Sequence, residues 1–279
     1  MRRISTSLGE IAVDVREGGP GPAVVMWPSL LMDHTLWAAQ TEHFAGRFPT
    51  VAVDPPGHGR SSPLTRTFTF DECADVLVEI LDALGIERAH VLGNSWGAMI
   101  GGTFAARHPE RVGCAVLMNG TATPAPRRQR LEYGALLGIA RLLGGIRGPL
   151  SRSVLGAFLG PTSLRTRPAV ARHVLDCARA ADVRSVSYAV RSVVPLRPDQ
   201  RPRFATIRTP VLVVAGREDA TFPPAEARLM ADAIPGAELA VLEGAAHLVA
   251  LEVPEEVNRL TDEFLDRHAT DRHATDRHG

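Results

Sequence analysis

The residues Gly93-Asn94-Ser95-Trp96-Gly97 place a serine between two glycines. They lie between a short apolar run, residues 89–92, and a segment of helical character, residues 98–107. A serine on a tight turn from strand to helix takes a strained backbone conformation, and the glycines keep side chains away from the neighbouring elements. Its hydroxyl would lie at a helix N-terminus, where the Trp96 N–H and the helix dipole can stabilise an oxyanion. The pentapeptide therefore predicts a nucleophilic serine, although ordinary turns also use these residue types.

A nucleophilic serine needs a base that accepts its proton and an acid that orients the base. Glu218 and Asp219 follow the apolar run 211–215, and His247 follows the run 238–242. Both places come after predicted strands, at the edge where parallel strands build their sites. We therefore predict His247 as the base, with Asp219 or Glu218 as the acid.

The scaffold that must position these residues is an alternation of apolar runs and amphipathic segments. This pattern indicates a mostly parallel sheet covered on both faces, with an antiparallel first strand. The predicted strands are 10–15, 23–27, 50–54, 89–93, 112–118, 211–215 and 238–242, and the predicted helices are 36–48, 70–84, 98–107, 225–234 and 255–265.

Residues 121–204 interrupt this alternation, because they contain several amphipathic stretches and many arginines but no convincing strand. We predict a helical cap here, inserted into one core domain formed by residues 1–120 and 205–265. Residues 266–279 repeat Asp-Arg-His-Ala-Thr twice and begin it again. A polar repeat lacks a driving force for burial, so we expect a disordered or frayed helical tail rather than a metal site.

Composition excludes several classes of protein. The chain has 31 Lys+Arg and 31 Asp+Glu, and these interspersed charges give no basic face for nucleic acid. The cysteines, Cys73, Cys114 and Cys177, are too scattered for a disulfide framework and have no metal-ligand spacing. No signal peptide or run of membrane-spanning length is evident. We expect a cytoplasmic protein that acts on a small molecule without a metal or cofactor, with neither nucleic acid nor membrane as partner; a homodimer stays open.

Residues 93–97 and 106–112 are highly typical of the α/β-hydrolase superfamily, which the chain resembles over residues 23–120 and 210–265. The resemblance implies the α/β-hydrolase fold, a mostly parallel eight-stranded sheet flanked by helices, with a helical cap. It favours Asp219 over Glu218, because family members place the acid three residues after a glycine. It also implies that the N–H groups of Leu30 and Trp96 form the oxyanion hole.

Within the superfamily the sequence resembles 3-oxoadipate enol-lactonases and related small ester or lactone hydrolases, whose oxyanion loop has a Ser-Leu pair like Ser29-Leu30. Leu31 stands where those enzymes usually have glycine. The resemblance implies a serine hydrolase that cleaves a small carboxylic ester or lactone through an acyl-enzyme. Two alternatives stay open: a carbon–carbon bond hydrolase of the meta-cleavage product type, which shares the Gly-Asn-Ser elbow, and a small-molecule receptor on the same scaffold.

Several residues are candidates for substrate contact. Ser29, Leu31 and His34 belong to the predicted oxyanion loop and its vicinity, and Leu136 belongs to the predicted cap. Arginines of the cap could recognise a carboxylate or could form a solvated helix face. The arginines considered include Arg127, Arg128, Arg130 and Arg141.

Overall fold

A computed structural model describes the backbone of residues 1–275 and the side chains of residues 1–268. The strands are β1 (Arg2–Thr6), β2 (Gly9–Arg16), β3 (Ala23–Trp27), β4 (Thr50–Val53), β5 (Ala89–Asn94), β6 (Val112–Met118), β7 (Val211–Gly216) and β8 (Glu238–Leu242). They form one sheet in the order β1-β2-β4-β3-β5-β6-β7-β8. β2 pairs antiparallel with β1 and β4, and all other neighbouring strands are parallel. The predicted α/β fold with a mostly parallel eight-stranded sheet is confirmed.

Helices cover both faces of this sheet. They are α1 (Ala38–Phe44), α2 (Phe70–Ala83), α3 (Trp96–Arg107), α4 (Arg127–Leu142), α5 (Pro149–Phe158), α6 (Pro161–Thr166), α7 (Pro168–Ala180), α8 (Val183–Val193), α9 (Arg201–Phe204), α10 (Pro224–Asp232), α11 (Val249–Glu252) and α12 (Pro254–Thr275), with short 3-10 helices at His34–Trp37 and Pro109–Arg111. No described helix combines the length and the apolar character that a membrane crossing requires.

The central strands are buried on both faces, which explains why they are apolar throughout. In β3, Val25 and Trp27 belong to the core that α2, α3 and α10 cover. Val24 and Met26 point the other way, into the core that α1 and α12 cover. Alternate residues of a strand face opposite sides of the sheet, so a strand between two helical layers needs apolar residues at every position.

Between β6 and β7 the described chain contains six helices, α4 to α9, and no strand. We call residues 121–204 the cap segment. At the other end, α12 runs through Thr275, so the first part of the repeated sequence is helical backbone. Residues 276–279 lie outside the described residues, and the prediction of a disordered or frayed tail stays a prediction.

Candidate active site

Ser95 occupies the turn between β5 and α3. Its backbone has φ 56° and ψ −108°, a combination that residues with a side chain rarely adopt. A Cβ atom at Gly93 would lie 2.1 Å from the Gly97 carbonyl oxygen, and one at Gly97 would lie 1.8 Å from the Trp27 carbonyl oxygen. Both neighbours of the turn must therefore be glycine, as the pentapeptide predicted, and the tight packing holds Ser95 in its strained conformation.

The Ser95 hydroxyl lies in a buried chain of hydrogen bonds. Its Oγ is 2.8 Å from His247 Nε2, and His247 Nδ1 is 2.8 Å from Asp219 Oδ2. Asp219 Oδ1 accepts hydrogen bonds from the backbone N–H groups of residues 221 and 222 at 2.8 and 2.9 Å. Since a carboxylate only accepts, His247 Nδ1 carries the proton and Nε2 is left to accept the serine proton.

The structure separates the two candidate acids. Glu218 accepts hydrogen bonds from the Thr162 N–H at 2.9 Å and from the Thr162 hydroxyl at 2.5 Å. These bonds lower the pKa of the Glu218 carboxyl. Glu218 thus faces α6 of the cap segment, whereas Asp219 faces His247.

Two asparagines that the sequence analysis missed hold the histidine loop against the sheet. Asn94 Nδ2 donates to the His247 carbonyl oxygen at 2.9 Å. Asn119 Nδ2 donates to Asp219 Oδ2 at 3.0 Å and to the Ala246 carbonyl oxygen at 2.8 Å. Asn94 ends β5 and Asn119 directly follows β6, so their position at the carboxyl edge of adjacent strands was the available signal.

Glu252 is a third missed residue, and it lies behind His247. Its Oε1 accepts hydrogen bonds from the backbone N–H groups of Ala246 at 2.9 Å and Leu248 at 3.0 Å. These two residues lie on either side of His247 in the sequence. Its Oε2 accepts the hydroxyl of Ser163 in α6. Burial raises the pKa of the Glu252 carboxyl, against the hydrogen bonds that lower it. No sequence motif marks this residue.

The predicted oxyanion donors, Leu30 and Trp96, lie on opposite sides of Ser95 along the chain, after β3 and at the start of α3. Within the described residues, neither backbone N–H has a hydrogen-bond acceptor. The Trp96 indole packs against Trp27 and Phe68, with ring centroids 5.5 and 5.4 Å away, so Trp96 offers only its backbone to the site.

The backbone conformation of Leu31 explains why the enzymes that this sequence resembles usually have glycine at this position. Its φ is 63°, in the left-handed region. For a residue with a Cβ atom, that conformation is less stable by roughly 1–2 kcal/mol. The loop that carries the Leu30 N–H is therefore held by its surroundings in a strained form.

Ser95 and His247 line a cavity of about 140 Å³. Its volume is comparable to that of an engineered apolar cavity of ~150 Å³ that binds benzene. The wall is mostly aliphatic and comes from both the core and the cap segment. The predicted residues that line it, besides Ser95 and His247, are Ser29, Leu30, Leu31 and Leu136.

His34 is the exception, because it does not line this cavity, and its role as a substrate contact stays a prediction. The ring atom His34 Nδ1 is 2.7 Å from Asp54 Oδ1, and the backbone N–H of His34 donates to the same oxygen at 2.9 Å. The hydrogen bond with Asp54 raises the pKa of His34. His34, Asp54 and Asp33 have potential metal-ligating atoms within 4.8 Å of one another. Asp33 and Asp54, however, already accept hydrogen bonds from the backbone N–H groups of Thr35 and Arg60.

Comparisons with known proteins agree with this architecture. A family model described as alpha/beta hydrolase fold matches residues 22–254. A Caulobacter sp. (strain K31) protein with the provisional name carbamate hydrolase RutD is 30% identical over 258 residues, which cover 90% of this chain and 94% of the relative. A 2-hydroxy-6-oxononadienedioate/2-hydroxy-6-oxononatrienedioate hydrolase of Paraburkholderia phymatum is 30% identical over 252 residues, covering 88% and 84%. The crystal structure of the enol-lactonase from Burkholderia xenovorans LB400 matches with a TM-score of 0.87 and 25% identity, covering 95% of this chain and 100% of that chain.

Proposed function

The chain belongs to the α/β-hydrolase fold family, and we propose that it is a serine hydrolase that cleaves a small-molecule carboxylic ester or lactone through an acyl-enzyme intermediate. The observation that supports this most is the hydrogen-bonded series of Ser95, His247 and Asp219 at the wall of an apolar cavity. We also propose that the cap segment covers a core domain formed by residues 1–120 and 205–265, because the cavity is lined from both.

In the acylation step, His247 Nε2 takes the proton of Ser95 as Oγ adds to the substrate carbonyl carbon. The N–H groups of Leu30 and Trp96 donate to the resulting oxyanion, and each such donor contributes about 3–4 kcal/mol to the transition state. Asp219 stabilises the imidazolium. His247 then gives its proton to the leaving oxygen as the carbon–oxygen bond breaks.

In the second step, His247 accepts a proton from water as the water oxygen adds to the acyl carbon. Collapse of this intermediate breaks the bond to Ser95 Oγ, which regains its proton from His247, and releases the carboxylic acid. For a lactone, the alcohol formed in the first step stays attached to the acyl group. Water must therefore add before that alcohol recloses the ring.

Active-site labelling with a fluorophosphonate tests this assignment. We expect one adduct on Ser95, and hydrolysis of an activated aryl ester that falls by about ten-thousand-fold or more in Ser95→Ala. Ser153→Ala is the matched control, because Ser153 also lines the cavity but donates weakly to a backbone carbonyl, at 3.4 Å, rather than to a histidine. An adduct that persists in Ser95→Ala, or a variant that keeps a tenth of the activity, contradicts the proposal.

The second candidate function is hydrolysis of a carbon–carbon bond. The Paraburkholderia phymatum relative supports it by its name and 30% identity, and Asn94-Ser95 agrees with the elbow of such enzymes. A panel of neutral esters, lactones, enol-lactones and ring-cleavage dienones separates the two, since a strong preference for the dienones would favour the second. A small-molecule receptor would bind members of the panel but show neither turnover nor a Ser95 adduct.

A further inference from the structure

One wall of the cavity contains a buried arginine. Arg197 follows α8, is 3% exposed and lines the same cavity as Ser95. Its Nε donates to the Thr123 carbonyl oxygen at 2.8 Å, Nη1 to the Val193 carbonyl oxygen at 3.3 Å and Nη2 to Gln129 Oε1 at 3.3 Å. All three acceptors are neutral, and a guanidinium has five N–H donors. The ion pairs of the described residues do not include Arg197.

A buried cation without a paired carboxylate is costly for a folded protein. Burial lowers the pKa of Arg197 to about 10, with Glu226 as the largest influence in the opposite direction. The guanidinium is therefore still charged at neutral pH. The carboxylate of Glu226 accepts hydrogen bonds from the hydroxyls of Thr121 and Thr123 at 2.7 and 2.8 Å. The field of Arg197 is thus only partly compensated within the chain.

Two neighbours on α4 add further donors to this wall. Gln129 and Tyr133 are four residues apart, so they lie on the same face of the helix, and both line the cavity. Gln129 uses its oxygen to accept from Arg197, which leaves its NH₂ group to donate. Burial raises the pKa of the Tyr133 hydroxyl, which keeps it a neutral donor. No described residue forms a hydrogen bond with that hydroxyl.

This group of donors lies close to the proposed reaction centre. The Arg197 guanidinium carbon is 5.3 Å from the centroid of the Phe222 ring, and the His247 ring centroid is 5.5 Å from the same point. The guanidinium therefore lies no farther from the His247 ring than about 11 Å, the sum of these two separations. One small molecule can reach both.

We propose that Arg197, together with Tyr133 and Gln129, binds a carboxylate carried by the acyl group of the substrate while its reacting carbonyl lies at Ser95. The inference rests on the proposed function and names its substrate class, esters or lactones whose acyl part is anionic. The arginines considered from the sequence, Arg127, Arg128, Arg130 and Arg141, are exposed and do not line the cavity. A guanidinium fits a carboxylate because its planar donors match the two oxygens.

The test compares the p-nitrophenyl monoester of adipate with neutral p-nitrophenyl hexanoate. The wild-type protein should have the higher kcat/KM for the anionic ester. Arg197→Gln should lower kcat/KM for that ester by about tenfold to a hundredfold, the range for losing a hydrogen bond to a charged group, and change hexanoate hydrolysis less than about threefold. The matched control is Arg191→Gln, an exposed arginine of α8, which should change neither.

Tyr133→Phe provides a second variant that removes only a hydroxyl, and it should weaken competitive inhibition of hexanoate hydrolysis by free adipate. Equal losses on both esters in Arg197→Gln would mean a structural role and would overturn the proposal. A wild-type preference for hexanoate, or unchanged adipate inhibition in Tyr133→Phe, would also overturn it. Failure of the proposed function looks different, because then neither ester is hydrolysed and the fluorophosphonate leaves Ser95 unlabelled.

Discussion

The adjacent carboxylates Asp219 and Glu218 allow a matched test of the acid in the site. Asp219→Asn and Glu218→Gln each replace one carboxylate oxygen by an amide NH₂ and keep the shape of the side chain. Only the first change alters the partner of His247 Nδ1, which lies 2.8 Å from Asp219 Oδ2. The expected effect follows from the orientation that the new amide adopts.

If the NH₂ group of the new amide takes the Oδ1 position, it faces the backbone N–H groups of residues 221 and 222, and these two donors lose their acceptor. Each buried donor left without an acceptor costs about 1–3 kcal/mol. With its NH₂ group at the Oδ2 position, it loses the bond from Asn119 Nδ2, which also donates to Ala246, and the bond from His247 Nδ1, whose proton can move to Nε2. The second orientation is therefore preferred, and it presents a donor to His247 Nδ1.

His247 must then accept at Nδ1 and carry its proton on Nε2, where it can no longer take the proton of Ser95. We expect kcat for an activated aryl ester to fall by about ten-thousand-fold in Asp219→Asn, equivalent to ~5.5 kcal/mol of transition-state stabilisation. Glu218→Gln should stay within about threefold, because Thr162 can still donate to the amide oxygen. Initial rates on folded, repurified variants measure both. Comparable losses in the two variants, or the larger loss in Glu218→Gln, would refute the tautomer argument.

Three further predictions concern the support of the site. Gly97→Ala should lower the free energy of unfolding in urea by about 1–3 kcal/mol, because its Cβ would lie 1.8 Å from a carbonyl oxygen of β3. Gly138→Ala, in the middle of α4 with no atom near its Cβ position, should raise it by about 0.5–1 kcal/mol, and the opposite ranking would be inconsistent with the packing. Glu252→Ala should lower kcat by about tenfold or more, whereas Glu252→Gln should rescue it, since an amide oxygen can accept the same two N–H groups. Asp54 raises the pKa of His34 above 6.5, so the stabilisation from His34 is complete below that pH and is lost as pH rises through its folded pKa. The stability difference between wild type and His34→Asn, from urea unfolding, should therefore be larger at about pH 6 than at about pH 9, and a constant difference would contradict this.

Local patterns were enough to predict the main elements and the positions of Ser95 and His247, whereas the choice of Asp219 over Glu218 came from the family resemblance. Each of these residues follows an apolar run, and parallel strands bring their carboxyl ends to one edge of the sheet. The structure accordingly places the three side chains in hydrogen-bond contact. The sequence analysis did not predict β1, in which Ile4 is the one buried residue, because a short edge strand has little apolar pattern.

The direction of a loop side chain depends on contacts that are distant in sequence. His34 follows the predicted oxyanion loop, but its imidazole bonds to Asp54, which directly follows β4, and does not line the cavity. Glu252 was missed for a different reason. Its Oε1 accepts hydrogen bonds from two backbone N–H groups, and a backbone N–H has no sequence signature.

The cap segment shows most clearly why substrate choice is harder to predict than chemistry. Arg197 has the same residue type as the exposed arginines around it, and only its packing against the Thr123 carbonyl and Phe222 makes it part of the cavity. The cap segment also forms hydrogen bonds with residues next to Asp219 and His247. Thr162 and Ser163 of α6 donate hydrogen bonds to Glu218 and Glu252, which lie beside Asp219 and behind His247. A change in cap sequence that moves α6 should therefore alter the geometry of His247 as well as the size of the cavity, so we expect the proposed activity and its substrate specificity to change together.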